Sequence, residues 1–482
     1  MSDQTAPESG LRANCHGVSP LDARLETWQE SLLGDSELLS AALGSGESPI
    51  NVIDPGPMGR NAAELTDAAD ESGVRLKIFF ARKANKCLSL VDRARDLGLG
   101  VDLASVNELA EARDRDVASR DLVVTAAVKP RPLLELCVET GALVVLDNQD
   151  EADLLAKIAA ERNQTVRVAI RLAVEIPDAI PTRFGLPPAE AKRLAETIGS
   201  DPHLDLAGLH FHLDGYSGKD RVLALAAALD LADDLPAESP MRFIDIGGGI
   251  PMSYLDGSDQ WDRFWVSHRE ALLGDRPPLT FANHGLGFNV ADGQITGGRA
   301  TYPYFQEPTR GDWLRELLAS EISLRSSGSS TVASALRSRD LELRCEPGRS
   351  LLDGCGLTAA RVHFVKRRLD GETLIGLGMN RTQCRSTSDD FMVDPILLPA
   401  PGSERSGELS GYLVGAYCIE RELITLRRLV FPFGAGPGDI VVFPNTAGYL
   451  MHILESSSHR MPLAENFVRA DGQLGLDPVD VQ

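Results

Sequence analysis

The sequence predicts an α/β + β architecture: a closed (β/α)8 barrel followed by an antiparallel β domain. Three observations predict it. Apolar, β-branched runs alternate with helical patterns from Ile50 to Gly348. Five of these runs start at near-even spacing, and beyond Leu352 the texture changes to short strand-like runs broken by Gly and Pro turns. At 482 residues the chain can form two domains with substantial cores.

Taken in order, residues 1–18 read as a flexible polar tail, with no apolar signal core from Met1 to His16. Residues 19–47 form an N-terminal segment, helical around Leu21 to Leu43, expected to pack on the β domain. The barrel domain is expected over 48–352. Ile50–Ile53 is a first short strand, and the barrel strands are expected at Lys77–Lys83, Gly100–Ser105, Asp121–Val128, Ala142–Asn148, Arg167–Val174, Ala207–Leu213, Phe243–Gly249 and Leu341–Gly348. The first five begin 23, 21, 21 and 25 residues apart, a natural length for a strand, a helix and two loops. Helical stretches such as Ser105–Asp114, Asp150–Glu161 and Pro188–Ile198 fill the gaps. Eight such units predict ring closure, with the active site at the C-terminal ends of the strands. An open doubly wound sheet is the alternative; no Gly-x-Gly-x-x-Gly turn follows the first strand.

One connection is too long for a single unit. An insertion of about residues 250–340 holds Trp261, Phe264, Trp265, His284-Gly285-Leu286-Gly287-Phe288 and Tyr302-Pro303-Tyr304-Phe305. It ends in Ser326-Ser327-Gly328-Ser329-Ser330, which reads as a flexible link. Leaving a strand's C-terminal end, it is expected over or beside the barrel mouth; a peripheral element with its own small core is the plainer reading. The β domain is expected over 353–470, with a second tail at 471–482.

Composition excludes several classes. A net charge of −22 opposes nucleic-acid binding, which needs a basic surface. The seven cysteines are scattered, with no Cys-x-x-Cys pair or zinc-spaced Cys/His cluster. No apolar run reaches membrane-spanning length. The expectation is a reduced, cytoplasmic protein with no structural metal and no membrane or nucleic-acid partner.

Chemistry-bearing residues fall at predicted strand ends. Lys83 closes the first barrel strand, where an amine can form a Schiff base; an isolated lysine there would more often be a solvated loop residue. Asp102 lies at the end of the second strand and Arg171 on the fifth. His210 and His212 share one side of their strand, and only His212 reaches its end. The run Phe243-Ile-Asp-Ile enters Gly247-Gly248-Gly249, whose amides can approach a phosphate because no Cβ intervenes, although tight turns use glycine equally. In Glu346-Pro-Gly-Arg349 a turn separates a carboxylate from an arginine; one could pair with a pyridinium and the other reach a phosphate, or the two could form a surface ion pair.

Together, over roughly residues 50–465, these motifs resemble the fold-type III decarboxylases that use pyridoxal 5′-phosphate (PLP), the family of diaminopimelate, ornithine and arginine decarboxylases. The resemblance implies a PLP-binding barrel, a β domain and a homodimer with shared active sites. It implies Lys83 as the Schiff-base lysine, His212 against the cofactor ring, Gly247, Gly248 and Gly249 at its phosphate, and Glu346 and Arg349 at pyridine nitrogen and phosphate. Thr182-Arg183-Phe184-Gly185 resembles the family's S-[RK]-F-G segment. Cys418 resembles the catalytic cysteine supplied by the partner subunit, and Tyr449 a tyrosine near the cofactor. Asp102 and Ser217 complete the candidate cofactor contacts, with Arg171 and Glu420 as candidate substrate contacts. Two positions depart from the pattern. Ile419 follows Cys418 where an acid is usual, with Glu420 one place later. Gly215 stands three residues after His212 where a serine is common, with Ser217 nearby. The implied activity is α-decarboxylation of a diaminopimelate-like, basic or specialised-metabolite amino acid. A racemase on the same fold, or a non-catalytic homologue, is the alternative. Glu346 opposes the racemase, whose pattern places arginine at the pyridine nitrogen.

Overall fold

The structure is a computed structural model that describes residues 10–235, 241–386, 391–402 and 407–481. The chain divides into two compact units. One comprises Met58–Pro251 and Glu307–Leu351; the other comprises Met1–Pro57, Met252–Gln306 and Leu352–Gln482.

The first unit contains the barrel. Its strands are β1 (Leu76–Ala81), β2 (Gly100–Leu103), β3 (Leu122–Val124), β4 (Leu143–Leu146), β5 (Val166–Arg171), β6 (Leu204–His210), β7 (Phe243–Asp245) and β8 (Glu342–Cys345). They pair in parallel in chain order, and β8 closes the ring between β7 and β1. Phe79, Val123, Leu143, Val145, Ala169, Ala207 and Phe243 fill one buried cluster, so the barrel is a packed core and not a pore. The strands stop earlier than the apolar runs suggested. In β7 the cause is visible: Asp245 accepts a hydrogen bond from Gly247 N at 2.9 Å, turning the chain out of the ladder.

The stretch Ser326–Ser330, expected as a flexible link, is instead part of a hairpin. Glu321–Leu324 pairs antiparallel with Gly328–Thr331. Arg325 at its turn meets Asp230 at 3.1 Å, and the pairing satisfies backbone groups that a loose link would leave to water.

The second unit is built on a ten-stranded sheet. Most neighbours are antiparallel; Thr373–Leu377 with Leu409–Val414, and Ile50–Ile53 with Glu465–Ala470, run parallel. Helices Thr27–Leu33 and Ser36–Leu43 bury Trp28, Leu32, Leu39 and Leu43 against Val52, Leu357 and Val442. The expected tails reach into this sheet. His16–Gly17 pairs with Val430 and Leu429, and Gln473–Leu476 folds back on Phe467–Ala470. Each short segment satisfies the backbone groups of a sheet edge. Residues 1–9, also in the expected N-terminal tail, lie outside the described residues.

Met252–Gln306 of the insertion also belongs to this unit. It carries an aromatic core of its own, with Trp261 edge-on to Trp265 at 5.4 Å and Tyr254 at 4.8 Å from Tyr304. It is stitched to the β domain by backbone bonds, Phe281 N to Leu426 O and Arg428 N to Leu279 O, both 2.8 Å. All seven cysteines are free thiols, six of them buried. Among the described residues no helix is long and apolar enough to cross a membrane.

Candidate functional site

Lys83 sits in a short 3-10 turn, Arg82–Ala84, just past β1. The turn is anchored beneath it: Arg82 is buried, pairs with Glu111 and donates to Lys86 O at 3.0 Å. Lys83 Nζ donates to Asp102 Oδ2 at 3.0 Å. Asp102, on β2, is buried and also accepts from the Thr125 hydroxyl. Burial pushes the Asp102 carboxyl up from its ordinary range, Glu346 pushes the same way, and Lys83 opposes both.

Around this pair lie the ends of β6, β7 and β8. Glu346 follows β8 and is buried. Its Oε1 lies 3.3 Å from His210 Nε2 and makes no hydrogen bond among the described residues. His210, Asp245 and Glu346 each place one ligand-type atom within 4.8 Å of the others. Burial raises the pKa of Glu346, and it raises that of Asp245 further with help from the neighbouring Glu346 charge. Burial also holds His210 well below its ordinary range, with Arg171 adding to the effect. Burial thus biases two acids and an imidazole toward their uncharged forms.

The glycine turn stands against these groups. Gly247 and Gly249 have φ of +64° and +74°, conformations that favour glycine. A Cβ on Gly247 would lie 2.6 Å from His212 Nδ1, one on Gly248 2.9 Å from Glu346 O, and one on Gly249 2.5 Å from Gly215 O. His212 Nδ1 accepts from Gly248 N at 3.1 Å, and burial holds the His212 imidazole well below its ordinary range. Arg221 fastens the turn from behind, donating to Gly215 O and Gly248 O at 2.9 Å each.

Arg171 ends β5 as a nearly buried side chain, 4.2 Å over the Phe184 ring and 3.9 Å from Asp147. Ser217 is the N-cap of helix Gly218–Asp233, its hydroxyl accepting from Asp220 N at 3.2 Å. Arg349 is half-buried in the turn after β8. These residues, with Lys83, Asp102, His212 and Glu346, all belong to the barrel unit. Cys418, Glu420 and Tyr449 belong to the other unit; Cys418 and Glu420 are exposed, and Tyr449 is half-buried at φ +70°. Sequence reasoning missed Asp245 and Arg221 and passed over His210. A signal for Asp245 existed, since an acid inside the apolar run Phe-Ile-Asp-Ile must be buried. Arg221 lies in the first turn of a surface helix and carried no such signal.

A primary amine at a strand end, a buried carboxylate with one oxygen that has no hydrogen bond among the described residues, and a turn with no room for Cβ atoms match in kind the needs of an aldehyde cofactor with a ring nitrogen and a phosphate. The profile of the pyridoxal-dependent decarboxylase, pyridoxal binding domain, matches residues 60–272. The chain is 31% identical over 442 residues to the uncharacterized protein y4yA of Sinorhizobium fredii, covering 89% of this chain and 90% of that one. It is 29% identical over 264 residues to a diaminopimelate decarboxylase of Actinosynnema pretiosum, covering 52% of this chain and 59% of that one. In fold it is similar to a diaminopimelate decarboxylase of Helicobacter pylori complexed with L-lysine, with TM-score 0.64 and 16% identity over 89% of this chain and 93% of that one. The chain belongs to the PLP-dependent amino-acid decarboxylases, a family of carboxy-lyases built as a parallel barrel plus a β domain, with PLP as cofactor.

Proposed function

We propose that this chain removes the α-carboxylate of an amino acid as CO₂, acting as a homodimer on a substrate of the diaminopimelate, basic or specialised-metabolite class. The observation that carries this reading is the convergence of Lys83, Asp102, His212, Glu346 and the Gly247–Gly249 turn at the C-terminal ends of the barrel strands. When bound, PLP supplies the electron sink for the pair left on Cα by departing CO₂.

Lys83 would hold the cofactor covalently, with Asp102 keeping its amine in place. Gly247, Gly248, Gly249, Arg349 and Ser217 would take the phosphate; His212 and Tyr449 would bind the cofactor body. Glu346 would keep a proton on the pyridine nitrogen. Its buried Oε1 has no hydrogen bond among the described residues, and a cationic N–H would satisfy it. Arg171 is a candidate contact for the substrate carboxylate, and Glu420 for its distal end. Cys418, contributed by the partner copy, or Lys83 would return a proton to Cα.

The test uses PLP-loaded protein and a panel of diaminopimelate isomers, lysine, ornithine and arginine, with CO₂ release and amine product followed by mass spectrometry. Amine and CO₂ in equal amounts support the reading. Solvent deuterium entering a recovered amino acid without CO₂ loss would identify a racemase. A protein that gains no visible cofactor absorbance with PLP would be a non-catalytic homologue.

A further inference from the structure

Arg221 is a fully buried side chain of the barrel unit, and it makes no ion pair among the described residues. Its hydrogen bonds go to backbone carbonyls. Nη2 donates to Gly215 O and Gly248 O at 2.9 Å each, and Nη1 donates to Ser217 O at 3.1 Å. Its buried Nε has no acceptor among the described residues. The guanidinium lies 5.4 Å from the Trp313 ring centre. Trp313 is buried on helix Arg310–Ala319, also in the barrel unit, and its Nε1 donates to Tyr216 O at 3.0 Å. Burial pushes the Arg221 pKa down to about 10, with Asp220 and Tyr216 opposing, so the group stays charged at neutral pH. A buried charge is costly without a counter-charge, and three carbonyls and a ring face offset only part of that cost.

The same bonds orient the backbone around it. Gly215 O and Ser217 O turn toward Arg221, and Tyr216 O between them turns toward Trp313. A trans peptide points its N–H opposite to its C=O. The amides of Tyr216, Gly218 and Gly249 therefore face away from the groups that hold the carbonyls before them. The N–H groups of Gly218 and Gly249 make no hydrogen bond among the described residues. A cation on Gly248 O polarises the Gly248–Gly249 peptide and makes the Gly249 N–H a stronger donor. The guanidinium also abuts the glycine turn directly, since a Cβ on Gly249 would collide with Arg221 Nη2. Arg221 thus combines an uncompensated positive charge with a grip on the turn read above as the phosphate cradle.

We propose that Arg221 is the buried counter-charge of the cofactor's phosphate, acting through the Gly248–Gly249 peptide and selecting PLP over unphosphorylated pyridoxal. This rests on the reading of Gly247–Gly249 as the phosphate cradle. The experiment titrates cofactor-free full-length protein with PLP and with pyridoxal by fluorescence. Arg221→Gln is expected to weaken PLP binding about tenfold or more and pyridoxal binding less than about threefold. Arg221→Lys should recover most of the PLP affinity, because it restores the charge. Lys219→Gln, which removes an exposed cation two residues away, should leave both affinities unchanged. Near-UV circular dichroism checks that each variant is folded. Phosphorus NMR of bound PLP reads the charge itself. A nearby cation favours the dianion, so the parent's phosphate signal should stay constant from about pH 8 to about pH 5.5, across the usual second pKa near 6. With Arg221→Gln the signal should titrate inside that window. Equal losses for PLP and pyridoxal, or an unchanged phosphorus titration, would leave Arg221 a backbone anchor and overturn the proposal while the cradle reading stands. Equal weakening by Lys219→Gln would mean diffuse charge and overturn it as well. A parent that binds PLP no better than pyridoxal would overturn both the proposal and the cradle reading.

Discussion

At the scale of residues, the barrel site is a set of charges deprived of water. Asp245 accepts one backbone N–H yet sits beside Glu346 in full burial, and burial is the larger cause of its raised pKa. The consequence for stability has a definite sign. Between the unfolded pKa near 4 and the raised folded pKa, the native state binds more protons than the unfolded one, so stability falls as pH rises through that window. Asp245→Asn keeps the acceptor for Gly247 N and removes the titration. The cofactor-free variant should therefore be more stable than the parent at pH 7. That advantage should vanish near pH 3.5, where both states are protonated. Urea melts at the two pH values check this, and equal stability at pH 7 would mean that the carboxylate is compensated. Lys83→Ala, which removes the amine facing Asp102, should lower turnover at least about 100-fold. Borohydride reduction of the parent followed by peptide mapping should find the cofactor on Lys83; label on Lys86 would show that the wrong lysine was chosen.

At the scale of elements, two segments do most to position groups. The first is the glycine turn after β7. Gly249 combines positive φ with backbone oxygen of Gly215 where a Cβ would stand, while Gly248 has ordinary φ and a looser approach to Glu346 O. Gly249→Ala should thus weaken PLP binding at least about tenfold more than Gly248→Ala, a difference of about 1.4 kcal/mol. Fluorescence titration with PLP measures both, and the reverse order would show that the turn is not the phosphate cradle. The second element is the insertion helix Ser258–Leu273. Trp265 is buried at 2% exposure, edge-on to Trp261 and under the Arg299 guanidinium. Trp265→Ala should cost about 3–5 kcal/mol in chemical denaturation. A loss below 1 kcal/mol would mean that the insertion collapses freely around the gap.

At the scale of the whole molecule, the proposed homodimer divides each active site between two chains. Lys83 belongs to the barrel unit and Cys418 to the other, where it is exposed. Mixing Lys83→Ala chains with Cys418→Ala chains should give dimers in which one site carries both lesions and the other neither. Random exchange makes about half the dimers mixed, so roughly a quarter of parental activity should return. The measurement requires that Cys418→Ala alone is strongly impaired. No recovery after demonstrated exchange would mean that Cys418 serves its own barrel or has no catalytic part.

The barrel was legible because its signal is local and repeated. Apolar strand runs alternate with helical periods, so the eight strands and their order could be read without any long-range information. The residues Lys83, His212, Gly247–Gly249 and Glu346 were legible for a related reason: each stands where an apolar run stops, which in a parallel barrel is the face that carries chemistry. The tertiary structure decided what depends on contacts between distant segments. The pairing of His16–Gly17 with Leu429 and Val430 turns an apparent tail into a strand, and Ser326–Ser330 becomes half of a hairpin, because each finds a partner whose backbone groups need satisfying. The insertion joins the β-domain unit through the Leu279–Phe281 bonds to Leu426 and Arg428, which no periodicity announces. Asp245, His210 and Arg221 acquire their roles only from neighbours 101, 136 and 27 residues away, Glu346 for the first two and Gly248 for the last. A sequence displays which side chains are present and how each segment repeats. The pKa of a buried carboxyl, or the partner of a buried guanidinium, is set by what the fold brings beside it.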